Sequence, residues 1–233
     1  SHGESSGEEM DVQEIVGTIN IIVFIDGNPS ESCMVAALIT ATEAKSAVLR
    51  DFDVRSRYTG DSATGSITDS VTIASICQGK TLSLAGPASK LGKLVGYCTR
   101  KAVTEALLKQ EPVWACRTVL DRLKERNLTV ERLAAEIPKV EGLIVNAEGL
   151  TRILKNKPFV LMYLLAATKM DDDYKKNLLP TDFADWMEIS KFFGACTQNK
   201  LECTKKPNYE FVDLPPFLKH TLINIVRNAQ SEL

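Results

Sequence analysis

Thr64-Gly65-Ser66-Ile67-Thr68-Asp69 runs without a break into Ser70-Val71-Thr72-Ile73-Ala74-Ser75-Ile76-Cys77, and the junction decides how the first half of the chain is read. A turn made of hydroxyls, a glycine and one carboxylate feeds an apolar, β-branched segment, the pattern of a loop at the mouth of a strand. Outward on the N-terminal side, Ile15–Asp26 is an almost continuous Ile/Val run closed by Asp26-Gly27-Asn28-Pro29. It reads as a strand buried on both faces and ended by a turn. Ser30 or Ser32 then caps a helix to about Leu49, with Val35, Leu38, Ile39, Thr42 and Leu49 near one face and alanines that permit close packing. The polar, glycine-punctuated stretch Asp51–Gly65 is a loop.

On the other side, Gln78-Gly79-Lys80 is a turn and Thr81–Ala85 alternates again, so Asp69–Ala85 is expected to form a hairpin. Ser89 caps a second helix to about Gln110, with Leu91, Leu94, Val95, Cys98, Ala102 and Ala106 at helical spacing. The order β-α-β-β-α predicts an α/β fold, a two-layer α/β sandwich with a mixed sheet. Beyond Glu111-Pro112 the pattern turns helical. Helices are expected over Trp114–Arg126, Val130–Glu136, Glu148–Asn156, Phe159–Met170, Thr181–Phe193 and Pro216–Ala229, with Leu143–Asn146 the one candidate strand. The reading is therefore an acidic, disordered lead-in over residues 1–14, an α/β domain over 15–111 and an all-helical unit over 112–233.

Composition removes several functions. The 233 residues are 44% hydrophobic and 25% charged, an ordinary globular mixture, and the formal net charge of -2 provides no basic field for nucleic acid or an anionic membrane. No apolar run is expected to span a bilayer and no charged-then-apolar leader opens the sequence, so the cytoplasm is the expected location. Cys33, Cys77 and Cys98 lie in apolar runs as small hydrophobes, and Cys196 and Cys203 read as free thiols rather than a disulfide. The two histidines, His2 and His220, lie outside the α/β body, which excludes a His-based triad or a His-ligated zinc there. No metal or cofactor is expected.

Acid–base work must then use carboxylates, lysines or hydroxyls. Asp69 could orient a hydroxyl or water while the loop amides hold an oxyanion; the commoner reading of such a loop is that Thr68 and Asp69 tie up a turn and Gly65 supplies an unusual φ. Glu43 sits among Ala and Thr on a helix expected to be buried, where its carboxyl would be raised for proton transfer. A carboxylate at the helix edge, bonded to backbone or arginine, is the alternative. Glu43 and Lys45 lie two apart and do not face each other. Gly86-Pro87-Ala88-Ser89-Lys90-Leu91-Gly92 opens the second helix, where amides favour an anion or carbonyl oxygen, and an ordinary cap explains it as well. It lacks the spacing of a Walker loop.

Four segments in order carry a specific resemblance: Thr18-Ile19-Asn20-Ile21-Ile22-Val23; Ile39-Thr40-Ala41-Thr42-Glu43-Ala44-Lys45; Ala63 through Ser70; and Ala85-Gly86 with Lys90-Leu91-Gly92 and Gly96. Together, over about Val16–Leu107, they resemble the C-terminal half of the adenosylcobinamide amidohydrolase family. Ser66-Ile67 stands where that family typically has Thr-Gly or Thr-Thr, and the helical region after Pro112 has no counterpart in it. The resemblance implies hydrolysis of the amide between the corrin side chain and aminopropanol, giving adenosylcobyric acid, a corrinoid salvage step for cobalamin biosynthesis. On the positions it supplies, Glu43 is expected as general base, Thr64, Ser66 and Thr68 as nucleophile or oxyanion donors, and Asp69 as orienter. Asn20, Lys45, Gly65, Gly86 and Lys90 are expected to contact substrate. The corrinoid is the expected small-molecule partner, alongside a second copy of the chain or a separately supplied N-terminal half. A non-catalytic corrinoid-binding or regulatory protein, or one part of a split enzyme, is the alternative.

Overall fold

The computed structural model describes residues 17–110, 116–137, 145–156, 158–179 and 214–230. It divides into two units, 1–116 and 117–233. In the first, β1 (Asn20–Ile25), β2 (Asn28–Pro29), α1 (Glu31–Asp51), β3 (Ser70–Ser75), β4 (Thr81–Leu82) and α2 (Lys90–Gln110) follow one another. This is an α/β arrangement of helices and small parallel sheets.

β1 pairs with β3 in parallel, Asn20 opposite Ser70 through Ile25 opposite Ser75. β2 pairs with β4 in the same sense, Asn28 opposite Thr81. The expected Asp69–Ala85 hairpin is therefore corrected: both named ladders are parallel. Cys77 takes a φ of 53° and Gly79 one of 86°, turning the chain away from β3. Thr81–Leu82 continues past the end of β1 to meet Asn28–Pro29, and the Ser30 amide donates to the Leu82 carbonyl at 2.9 Å. Alternation identifies a strand's faces but not its neighbour.

α1 begins at its predicted cap: the Ser30 side chain accepts from the Cys33 amide. Its inner face is made of small residues, Cys33, Ala37, Ala41 and Ala44, so the helix lies close against Val23, Ile25, Val71 and Ile73 of the sheet, with Val95 of α2 completing the cluster. Val35, Leu38 and Ile39, grouped on one face in the sequence, are instead exposed. The small alanine face wins because it permits a closer approach and fuller dispersion contact. By length and composition α1 could cross a membrane, against the expectation that no segment could. Its alanine face packs on the sheet and carries a buried ion pair, as in a core helix.

The helices cover one face of the β1–β3 pair. Ile22 and Phe24, on the other face, are 77% and 64% exposed, which corrects the reading of this strand as buried on both sides. Cys77 and Cys98 are likewise exposed rather than packed as small hydrophobes; Cys33 is buried. Cys196 and Cys203 lie outside the described residues.

In the second unit, α3 (Val119–Lys124), α4 (Val130–Glu136), α5 (Ala147–Asn156), α6 (Pro158–Lys175) and α7 (Pro216–Gln230) are helical. Thr118 starts α3 with a reciprocal cap, its side chain accepting from the Asp121 amide and Asp121 accepting from the Thr118 amide. Leu123, Leu133, Leu150, Leu154, Leu164, Leu218 and Leu222 are fully buried together. At about 2 kcal/mol for each buried leucine side chain, this one cluster supplies a large favourable term. Asn146 bonds to the Gly149 amide as a cap, so the end of Leu143–Asn146 precedes α5 and is not a strand. The remainder of that segment and the helix expected over Thr181–Phe193 lie outside the described residues.

Candidate active site

Parallel pairing with a fixed offset of 50 residues builds the site. Beyond the strand ends the same offset continues: Thr18 Oγ1 lies 2.6 Å from Thr68 Oγ1, and the Ile19 amide donates to Asp69 Oδ1 at 2.9 Å. At the first strand residues, Ser70 Oγ donates to Asn20 Oδ1 at 2.7 Å. The sheet thus holds the hydroxyl loop against the segment leading into β1.

Asp69 is the centre. Its Oδ1 accepts from Ile19 and from Ser66 Oγ at 2.7 Å. Its Oδ2 accepts from the Ser66 amide at 3.1 Å and from Lys45 Nζ at 2.6 Å. The Lys45 and Asp69 side chains are 8% and 7% exposed, so the pair is buried. Burial pushes the Asp69 carboxyl up, but the Lys45 ammonium, the Ser66 hydroxyl and the Ile19 and Ser66 amides outweigh it and hold the group below the usual carboxylate range. Two donors at each oxygen leave little room for a further proton, an arrangement suited to orienting those donors rather than to abstracting a proton.

Gly65 makes the approach feasible. At φ 156°, a Cβ added there would overlap Asp69 Oδ2 and stand 2.6 Å from Lys45 Nζ. The residue serves as space for the ion pair. Ser66 Oγ also lies 3.3 Å from Thr68 Oγ1, so Thr18, Thr68, Ser66 and Asp69 form an unbroken polar chain. Thr64 and Thr68 are exposed and Ser66 is partly so. The Thr64 carbonyl accepts from Ser46 Oγ of α1 at 3.4 Å.

Glu43 is exposed, which corrects its expected burial on α1. The buried face of this helix runs through Thr40, Ala41, Ala44 and Lys45, and Glu43 falls outside that stripe. It lies three residues, about one turn, before Ser46, the residue that bonds the Thr64 carbonyl. Thr40 Oγ1 donates to the Ala85 carbonyl at 2.9 Å and seats the segment leading to α2. Ser89 Oγ donates to the Gly86 carbonyl at 2.8 Å and accepts from the Gly92 amide at 2.9 Å. Lys90 is exposed at the first position of α2. Thr40 and Lys45 are about 7 Å apart along α1, so one helix anchors both the Gly86 entry and the hydroxyl loop.

Two participants escaped the sequence reading, and a third was given another role. Thr18 and the Ile19 amide enter only through the parallel offset, which the expected hairpin concealed. Lys45 was expected to touch substrate, and the structure encloses its ammonium against Asp69 instead. A lysine on an otherwise alanine-lined helix face was the available signal, because an ammonium there requires a carboxylate.

The fold and the loop define an α/β unit whose hydroxyl cluster is organised by a buried carboxylate–lysine pair. Residues 1–114, the N-terminal part of the chain, match the model of the family described as adenosylcobinamide amidohydrolase (CbiZ). An uncharacterized protein of Methanocaldococcus jannaschii is 31% identical over 102 residues, 43% of this chain and 40% of that relative. The chain thus spans about two fifths of the length of the curated relative it matches. No solved structure matches it.

Proposed function

We propose that the N-terminal unit is an amidohydrolase that acts on adenosylcobinamide. Water adds across the amide joining the corrin side chain to aminopropanol; the C–N bond breaks, leaving a carboxylate on the corrinoid and a free amine. The observation that carries this reading is the Thr18–Thr68–Ser66–Asp69–Lys45 cluster within the segment matching the family. Amide hydrolysis needs hydroxyl or amide donors where negative charge develops on the carbonyl oxygen, and they must be oriented before substrate arrives. Thr64 and Thr68 offer hydroxyls at the surface; the Ser66 proton goes to Asp69 Oδ1, which orients the Ser66 oxygen and leaves its lone pairs for nucleophilic attack. Glu43 is the carboxylate whose exposure leaves it open to a substrate water, which suits a general base. Asn20, Gly86 and Lys90 are the proposed corrinoid contacts.

The test is direct. Adenosylcobinamide is incubated with the purified chain, and adenosylcobyric acid and aminopropanol are sought by mass spectrometry. Product from the wild type, reduced in Glu43→Gln and Ser66→Ala, supports the assignment; a corrinoid that binds and is recovered intact refutes catalysis. One observation favours a second reading, that the unit is part of a split enzyme: the parallel β1–β3 pair is uncovered on its Ile22 and Phe24 face.

A further inference from the structure

The Lys45 ammonium lies inside the unit, yet its charge reaches the proposed reaction through two contacts. Its 2.6 Å bond to Asp69 Oδ2 fixes one carboxylate oxygen, while Oδ1 takes the Ser66 hydroxyl and the Ile19 amide. The carboxylate therefore fastens three segments distant in sequence: α1, the lead-in to β1 and the hydroxyl loop. From α1, Lys45 is the charged group that Asp69 meets; the lead-in contributes the Ile19 amide, and the loop contributes the Ser66 amide and hydroxyl. Glu43, two residues from Lys45, is exposed on a different side of α1. Gly65 has no Cβ where one would overlap both ion-pair partners.

We propose that Lys45 is a positioning residue: acting through Asp69, it aims the Ser66 hydroxyl and holds Thr68 against Thr18, and so sets the reactive face of the loop. The kinetic part rests on the amidohydrolase reading; the geometric part does not. The enclosed ammonium is unsuited to grip a corrinoid, and a buried carboxylate without its lysine becomes an uncompensated charge that pulls in water or a proton. Either event breaks the contacts at Ser66 and Ile19. A longer, forked guanidinium at position 45 preserves the charge but not the length, so Lys45→Arg should restore part of the order.

The experiment uses the full chain and compares Lys45→Met, Lys45→Arg and the double variant Lys45→Met/Asp69→Asn. The first readout needs no activity: amide signals of Ile19 and Ser66, their exchange rates, and the carboxyl titration of Asp69 by NMR. Lys45→Met should shift both amides, speed their exchange and move the Asp69 titration upward, because the ammonium that favours the anion is gone. The double variant removes both charges, so it reports loop order even if Lys45→Met does not fold, and its Ile19 and Ser66 amides should exchange faster than in the wild type. The second readout is kinetic. Lys45→Met should lose about a hundredfold in kcat with KM little changed, its acid limb displaced upward, and Lys45→Arg should recover part of the loss. Unaltered Ile19 and Ser66 amides in either charge-removed variant would overturn the proposal, as would a raised KM at unchanged kcat, which would make Lys45 a substrate contact. If the wild type releases no aminopropanol, the amidohydrolase reading fails and the amide measurements still decide the role of Lys45.

Discussion

Asp171 of α6 is 3% exposed, and its two oxygens accept the Phe217 and Leu218 amides at the start of α7, each at 2.9 Å. Burial raises its carboxyl from 3.8 to about 6, against the two amides and Lys175, which favour the anion, and with a small upward push from Asp172. The consequence for stability has a definite sign. The folded state holds the Asp171 proton more tightly than the unfolded chain, so the protonated group contributes stability that is complete below about pH 4 and is lost as the pH rises through 6. Two units of displacement at about 1.4 kcal/mol each give about 3 kcal/mol between those limits. This runs opposite to the usual acid destabilisation, and opposite to Asp69, whose lowered carboxyl supports folding above pH 4 and stops doing so as the pH falls.

The measurement is amide exchange at Phe217, Leu218 and the following turns of α7 between pH 4.5 and 7.5, corrected for intrinsic rates, in the full chain. Protection should fall as the pH rises through 6, and the Asp171 carboxyl should titrate there by NMR. Lys219 and His220 are buried on the same helix, with the Lys219 ammonium lowered by burial, so the contribution of Asp171 is to be told apart from theirs. Asp171→Asn separates the two, because it keeps a carbonyl acceptor for one amide and cannot ionise; its protection should be flat across this range. Asp171→Ala leaves both amides without that acceptor and should cost about 1–3 kcal/mol for each at neutral pH. Flat protection in the wild type, or an undiminished slope in Asp171→Asn, would refute the assignment.

Other substitutions probe the frame. Gly92→Ala would put a Cβ against the Gly86 carbonyl and 2.5 Å from the Ala85 carbonyl, both backbone, so the entry to α2 must shift; a loss of about 3 kcal/mol in urea unfolding is expected. Thr118→Ala removes the side-chain half of the α3 cap and should cost about 1 kcal/mol, read as faster amide exchange over Val119–Lys124. Phe24→Ser should alter thermal stability by no more than about 0.5 kcal/mol, because this ring is 64% exposed; a loss of several kcal/mol would show the face to be covered in solution.

What could be read from the sequence, and what could not, follows from the range of the forces concerned. Helix ends set by local hydrogen bonds were legible: Ser30 starts α1, and Ser89 closes the entry to α2. Strand existence was legible too, from β-branched runs. Pairing was not, because Thr81-Leu82 has the same alternation whether it returns beside β3 or crosses to β2, and only long-range geometry chooses. The same gap hid the site. Asp69 was singled out as an orienting group, but the charged residue of α1 read as buried was Glu43, whose alanine neighbours suggested it. On a helix, however, residues two apart differ by about 200° in direction, so Glu43 and Lys45 cannot both face the sheet. The side carrying Ala37, Ala41 and Ala44 goes inward because small residues allow the close approach, and Lys45 follows Ala41 by four. Once the lysine is inside, the hydroxyl loop must present a carboxylate to it, and the offset of fifty residues brings Thr18 and Ile19 to that same point.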